Sequence, residues 1–320
     1  MRPSARKRPL VERSQPSLGR RRPGVCPRPA ETLIIFSAFF LTPSPALSSP
    51  RWGQSSNSPA PITEAISRAE SGDSSAQRYL QTFLADSDPT IPGYAEAVTW
   101  LRTNAAENPP LLCLLGFLYE HGHGLPQNYA KAFEHYQAAA RLGNGCGQNN
   151  LASLYQHGRG VSKNLEKAAE LYLASAQQGN PVAQCNLAEL YFTGSGVPRD
   201  LSEGVRWFRA AAERGYPAAQ HNLAVLYFKG LGVPMNYAEA VTWERLAADQ
   251  GFPDAEAGLG YIYETGKGVS VDYVAAFAWY SRASAHGDRG SSERRKSLSH
   301  LMTHKQLDEA KVFFSKPRPD

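Results

Sequence analysis

A chain of 320 residues with 42% apolar side chains can bury a large core, as one extended domain or two compact ones. Its formal charge of +5 sits at the start, where residues 1–30 carry nine Lys or Arg against one acid, Glu12. The rest holds 25 of the 34 basic residues and 28 of the 29 acids, with no basic stripe interleaved with aromatics, so the sequence argues against a nucleic-acid partner.

In chain order, residues 1–46 read as an address. A basic, Pro-rich stretch leads into the apolar run Leu33–Leu41 and the small-x-small site Ser44-Pro45-Ala46. Such a run falls short of the roughly 20 residues that span a bilayer but matches a signal-peptide core, so the expectation is export, periplasmic or secreted. The basic region is about twice the usual length, and Glu31 abuts the apolar core. A transit peptide, an uncleaved anchor or a start assigned too far upstream are the alternatives, with an organellar or cytoplasmic location to match. Residues 47–61, rich in Ser and Pro, read as a disordered linker.

From residue 62 the sequence repeats. Leucine recurs at 36-residue spacing at Leu115, Leu151, Leu187, Leu223 and Leu259, each followed by Tyr119, Tyr155, Tyr191, Tyr227 or Tyr263 and then by a Gly-x-Gly pair. Gly143, Gly179, Gly215, Gly251 and Gly287 close the five units. A shorter unit precedes them, from Gly72 through Tyr94 to Trp100, and Ile62 to Glu70 reads as a leading half-unit.

Each unit predicts helix, glycine loop, helix. Ala183, Leu187, Leu190 and Tyr191 fall on one helical face. Gly116, Ala152, Ala188, Ala224 and Gly260 follow the leucine and let a neighbouring helix come close. The loop glycines accept positive φ and reverse the chain. Asn128, Asn164, Asp200, Asn236 and Asp272 are the preferred N-caps of a second helix that carries Trp207, Trp243 or Trp279. One such unit cannot bury its own faces, so the units must stack. The predicted fold is all-α, a right-handed α/α superhelical solenoid over 62–290 of about six repeats, hence about twelve helices plus caps. Residues 291–320 supply closing helices at Ser292–His300 and Thr303–Phe314, the latter with a Thr303/Gln306 capping box.

The run Ala-Gln-x-Asn-Leu-Ala-x-Leu-Tyr-x-x-Gly-x-Gly-Val-Pro-x-Asp, followed by an aromatic-rich helix and Ala-Ala-x-x-Gly, resembles the Sel-1-like repeat, with residues 183–215 a close match and roughly 72–290 the extent. That family is similar to tetratricopeptide proteins. The resemblance implies a non-catalytic adaptor whose concave surface holds a protein or peptide, with no cofactor, and leaves the partner open.

Comparing the units separates positions that the fold requires from positions that it leaves free. Three first-helix rows stand out. Asn150, Asn186 and Asn222 immediately precede the core leucine, either to bond an extended peptide backbone or to tie one repeat to the next. A second row is Phe117, Ser153, Glu189, Val225 and Tyr261, and a third is Glu120, Gln156, Phe192, Phe228 and Glu264. If exposed, Phe192, Val225 and Phe228 form an apolar patch flanked by Glu189 and Glu264, suited to an apolar or mixed-charge peptide; if covered by the superhelical turn they are core.

The readings that need chemistry lack their parts. His121, His123 and His157 lie in glycine loops, but the equivalents of His121 include Thr193, Lys229 and Thr265, so no metal site is assigned. A cysteine-rich secreted branch of the resembled family has been linked to penicillin binding or β-lactamase activity, so a hydrolase is the rival function. Here Ser-x-x-Lys occurs only at Ser4–Lys7 and no Lys-Thr-Gly follows. Cys113 and Cys185 stand about two repeats apart, too far for a bridge, while Cys146 could pair with either. With one thiol left over after removal of Cys26, disulfides are not read as part of the design.

Overall fold

A computed structural model describes residues 60–315, all of them in helices and the loops between. The basic segment, the export signal and all but the end of the expected linker lie outside the described residues. The first helix, α1, spans Ala60–Glu70 and so begins just inside that linker. Fourteen more α-helices follow in chain order among the described residues. After α1 come α2 (Ser74–Asp86) and α3 (Tyr94–Asn104), the shorter unit. Five in-phase pairs then stack: α4 (Pro109–His121) with α5 (Tyr129–Arg141), α6 (Gly145–His157) with α7 (Leu165–Gln177), and α8 (Pro181–Thr193) with α9 (Leu201–Glu213). They continue with α10 (Pro217–Lys229) and α11 (Tyr237–Asp249), then α12 (Pro253–Thr265) and α13 (Tyr273–Ala285). The stack is a repeat solenoid, each of these helices packing on its chain neighbours.

The end differs from expectation by a few residues. Helix α14 (Arg289–Ser299) starts 36 residues after Pro253, so it is a first helix in phase, although its sequence has lost the repeat residues. Helix α15 (His304–Lys311) carries the expected capping box and folds back onto α13, then gives way to a 3₁₀ turn at Phe313–Ser315. No helix among the described residues is long and apolar enough to cross a membrane.

Local chemistry explains the regularity. Each second helix starts at its Asn or Asp, whose side chain accepts backbone N–H bonds of the first turn. The same residue's own N–H donates to the repeat tyrosine's carbonyl, at 2.8 Å from Asn128 to Tyr119 and at 2.9 Å from Asn236 to Tyr227, so the loop is tied back to the helix it leaves. The first loop glycine ends each first helix in the left-handed region, at φ 68° for Gly158.

The second loop glycine has a further reason to be there. A Cβ on Gly160 would stand 2.5 Å from the backbone of Tyr129, so each loop presses its glycine onto the first turn of the preceding unit's second helix.

One reading is corrected. Cys113 in α4 and Cys146 in the first turn of α6 form a disulfide, with Cα atoms 6.3 Å apart, while Cys185 is free and buried. Consecutive first helices lie side by side, so a position two residues before one core leucine meets a position five residues before the next. Other seams hold Asn149 opposite Val182 and Cys185 opposite Ala218 at those positions.

Candidate functional site

The three first-helix rows behave differently. In the asparagine row, Asn150 is buried and its amide touches both disulfide sulfurs, 3.6 Å from Sγ of Cys113 and 3.7 Å from Sγ of Cys146. Its oxygen accepts from Asn149 Nδ2 at 2.9 Å, and Asn149 Oδ1 in turn accepts from Asn186 Nδ2 at 3.1 Å. A chain of amides therefore runs from α8 back to the disulfide, tying two seams together. Asn222 stands at the half-exposed end of the row, next to the seam where Cys185 replaces Asn149. In the fifth unit the row holds Gly258.

The third row packs against its own unit's second helix, sixteen residues on, and its chemistry follows that partner. Tyr136 donates to Glu120 Oε2 at 2.8 Å, Tyr172 to Gln156 Oε1 at 2.7 Å, and Tyr280 to Glu264 Oε2 at 2.7 Å. Burial pushes all three phenols up, and the Glu120 and Glu264 carboxylates add to the rise at Tyr136 and Tyr280. Where the partner is Phe208, the row holds Phe192, with ring centroids 5.8 Å apart, and Gly204 leaves room for that ring. Glu120 is buried and Phe192 and Glu264 half-buried, so this row is half core and half surface.

The fourth unit breaks the pattern. Its second-helix position is Glu244, and that carboxylate turns away from Phe228 to meet His221 Nδ1 at 3.0 Å, in space that Gly258 leaves open. Burial alone would lower the His221 imidazole, but the Glu244 carboxylate holds it above its ordinary value. Phe228, with no ring sixteen residues on, packs instead against Tyr237 at the start of its own second helix, at 5.1 Å, and against Tyr261 of the next unit, at 5.9 Å.

The second row is half-exposed throughout. Phe117 lies against His121 at 4.3 Å. Glu189 forms no ion pair among the described residues, and burial pushes its carboxyl up to about 7. Ser153, Val225 and Tyr261 complete the row. Tyr261 carries Arg294 5.3 Å from its ring centroid, and the Arg294 guanidinium also pairs with Glu264 at 3.0 Å.

The loop histidines serve the backbone. Nδ1 of His121 and of His157 contact the carbonyls of Phe117 and Ser153, and His123 Nε2 contacts that of Ser87 at 2.9 Å. A shallow surface depression of about 320 Å³ lies among α5, α6 and α7, lined by Gln137, Arg141, Leu151, Tyr155, Lys167 and Glu170. It takes in none of the three rows, and its openness to solvent makes it a groove between helices rather than a ligand chamber.

The sequence missed the disulfide, the His221–Glu244 pair and the loop residue between the two glycines. That residue is His123, Arg159, Ser195, Leu231 or Lys267, and as His123, Arg159 or Lys267 it reaches back one unit. His123 stands 5.7 Å from the Tyr94 ring, Arg159 5.8 Å from Tyr129 and Lys267 6.0 Å from Tyr237. Where the loop residue is Ser195 or Leu231, the second helix behind it begins with Leu165 or Leu201. A comparison of loop residues with the start of the preceding second helix, rather than with their own unit, exposes that pairing.

Buried positions that repeat and half-exposed positions that do not define an all-α solenoid of two-helix repeats. The Sel1 repeat model matches residues 109–144, 147–180, 181–216, 217–252 and 253–288, more than half of the chain. The chain belongs to the Sel1 repeat family, whose members are typically protein-interaction scaffolds. The crystal structure of a Sel1 repeat protein from Oxalobacter formigenes is 28% identical, covering 79% of this chain and 97% of that one, with a TM-score of 0.60. A protective antigen of uropathogenic Escherichia coli strains, displaying an SLR fold, is also 28% identical, over 79% of this chain and 70% of its own, with a TM-score of 0.36. An immunity protein from Pseudomonas aeruginosa is 20% identical, over 67% and 83%, with a TM-score of 0.48. No curated protein matches the chain.

Proposed function

We propose that this protein is an exported, non-catalytic scaffold that holds a protein or peptide along its first-helix face. One observation carries the reading: on that face the buried leucine positions repeat from unit to unit, while the half-exposed second row changes chemistry at every step and the third row varies among Glu, Gln and Phe. A fold needs the first set. The freedom of the second set is what a recognition surface uses. Glu189, Phe192, Val225, Tyr261, Asn186 and Asn222 are the contact residues, with Phe117, Phe228 and Glu264 at the margins. Asn150 supports the disulfide from within and acts indirectly.

Export is supported by the Leu33–Leu41 run and by the Cys113–Cys146 bond, because disulfides persist in oxidising compartments and are rare in the cytosol. Two measurements test the proposal. In a pull-down, a partner must be lost by Glu189→Lys with Val225→Glu and kept by Lys167→Glu with Glu170→Lys in the groove among α5, α6 and α7. A partner lost by the second pair and kept by the first overturns the assigned face. Sequencing the mature N-terminus must find a start near Leu47; an intact Met1 refutes export by cleavage.

A further inference from the structure

The loop cation of the fifth unit stands in an unusual place. In the second unit, Arg159 reaches back to Glu120 of the unit before, Nη1 to Oε1 at 3.8 Å. Lys267 occupies the same loop position three units on, and the residue at Glu120's position is Phe228. The carboxylate that would neutralise the loop cation is absent from that seam, and three aromatic rings replace it. Lys267 Nζ lies 5.0 Å from the centroid of Phe228, 5.8 Å from that of Tyr261 and 6.0 Å from that of Tyr237. Rings hold an ammonium by their negative faces but accept none of its charge-assisted hydrogen bonds, so its donors stay available to an anion. Lys267 forms no ion pair among the described residues.

The surroundings favour an anion beside an apolar group. Lys267 and Arg294 both lean on Tyr261, against the single acid Glu264, which Arg294 already pairs. On the loops of the same two units, Leu231, Met235 and Val271 are exposed by 40%, 60% and 54%, and large apolar side chains at that exposure mark a contact surface. In the second and third units the positions of Met235 and Val271 are held by Lys163 and Arg199, so apolar loop edges belong to this end of the stack.

We propose that Lys267, with Phe228 and Tyr261 beneath it and Leu231, Met235 and Val271 on its rim, docks an acidic peptide segment of a partner protein. The partner's Asp or Glu carboxylate takes the place at Lys267 that Glu120 fills at Arg159. A neighbouring apolar side chain of the peptide covers the loop edge. This rests on the scaffold reading and names its partner's chemistry.

A phage-displayed random dodecapeptide library selected on the full, oxidised chain tests it. The expected result is enrichment of peptides pairing Asp or Glu with Leu, Phe or Trp. Synthetic copies should bind about tenfold more weakly to Lys267→Ala, near wild-type strength to Lys267→Arg, and more weakly in higher salt. Circular dichroism must show both variants folded. Enrichment of basic or neutral peptides, or acidic peptides that bind Lys267→Ala as they bind wild type, overturns the proposal. Peptides insensitive to Lys267→Ala but lost with Glu189→Lys leave the scaffold reading standing and remove this site; no enrichment at all refutes both.

Discussion

Gly258 gives the most demanding test of the packing. It sits inside α12, at the asparagine-row position, and a Cβ added there would fall on Oε1 of Glu244. Glu244 is 4% exposed and both its oxygens contact His221 Nδ1, at 3.2 and 3.0 Å, so it cannot retreat without leaving a half-buried imidazole alone. Two effects oppose each other in Gly258→Ala. Helix propensity favours alanine by about 1 kcal/mol. Overpacking costs about 1–3 kcal/mol, and full rupture of a buried pair about 3–5 kcal/mol. The net expectation is a loss of about 1–3 kcal/mol, or a fall in Tm of about 3–10 °C for a solenoid of this length. Urea unfolding followed by circular dichroism reads the loss, and hydrogen exchange should place it in α10 to α12. In a Glu244→Ala background the same change should turn neutral or stabilising, because the obstructing carboxylate is gone and the propensity gain remains. A Gly258→Ala protein as stable as wild type would refute the placement of Glu244 over Gly258.

Other expectations are open to direct measurement. Glu189 has a folded-state value raised to about 7 against 4.5 ordinarily, so the unfolded chain ionises first and stability falls as pH rises between those values. Glu189→Gln should therefore exceed wild type in stability by about 1 kcal/mol near pH 8 and match it near pH 4, in urea titrations at the two pH values; a gain that persists at the lower pH would contradict the assignment. The Cys113–Cys146 bond closes a separation of 33 residues, and Cys113→Ala with Cys146→Ala should cost about 3–4 kcal/mol by the chain-entropy account. Thiol counting of the unfolded, unreduced protein should detect that pair as oxidised. Tyr280→Phe should lose about 1 kcal/mol, since Glu264 keeps Arg294 when the phenol is removed; a larger loss would mean that Arg294 cannot hold Glu264 by itself.

The helices, their glycine loops and their caps were legible because each depends on residues in one unit. Asn164 caps its own helix, and Gly158 ends the helix that precedes it. Features that depend on two units were not. Cys146 has Pro110, Val182, Ala218 and Asp254 at its repeat positions, so in-phase comparison gave no sign that Cys113 faces it. Glu244 reads as an odd member of an aromatic position until Gly258 and His221, on two different helices, are placed around it. The asparagine row was visible as a row, but its division into an inner end at Asn150 and an outer end at Asn222 comes from the disulfide beside the former. Alpha-helix 14 was anticipated, yet its start at Arg289 follows from the phase of the stack rather than from its own residues.

The loop glycine pressed onto the preceding second helix has a consequence for how such a chain can change length. The side chain beside that glycine and the ring or aliphatic stem behind it are inherited in different 36-residue copies, yet they touch. Duplicating or excising a copy cut at the closing glycine would bring a cation such as Lys267 onto a leucine, or leave a tyrosine facing Leu231. A copy cut at the head of the second helix, and running to the next loop, carries both halves of the contact with it. The segment that can be exchanged without remaking a seam is therefore offset by half a unit from the one that the repeating letters mark out.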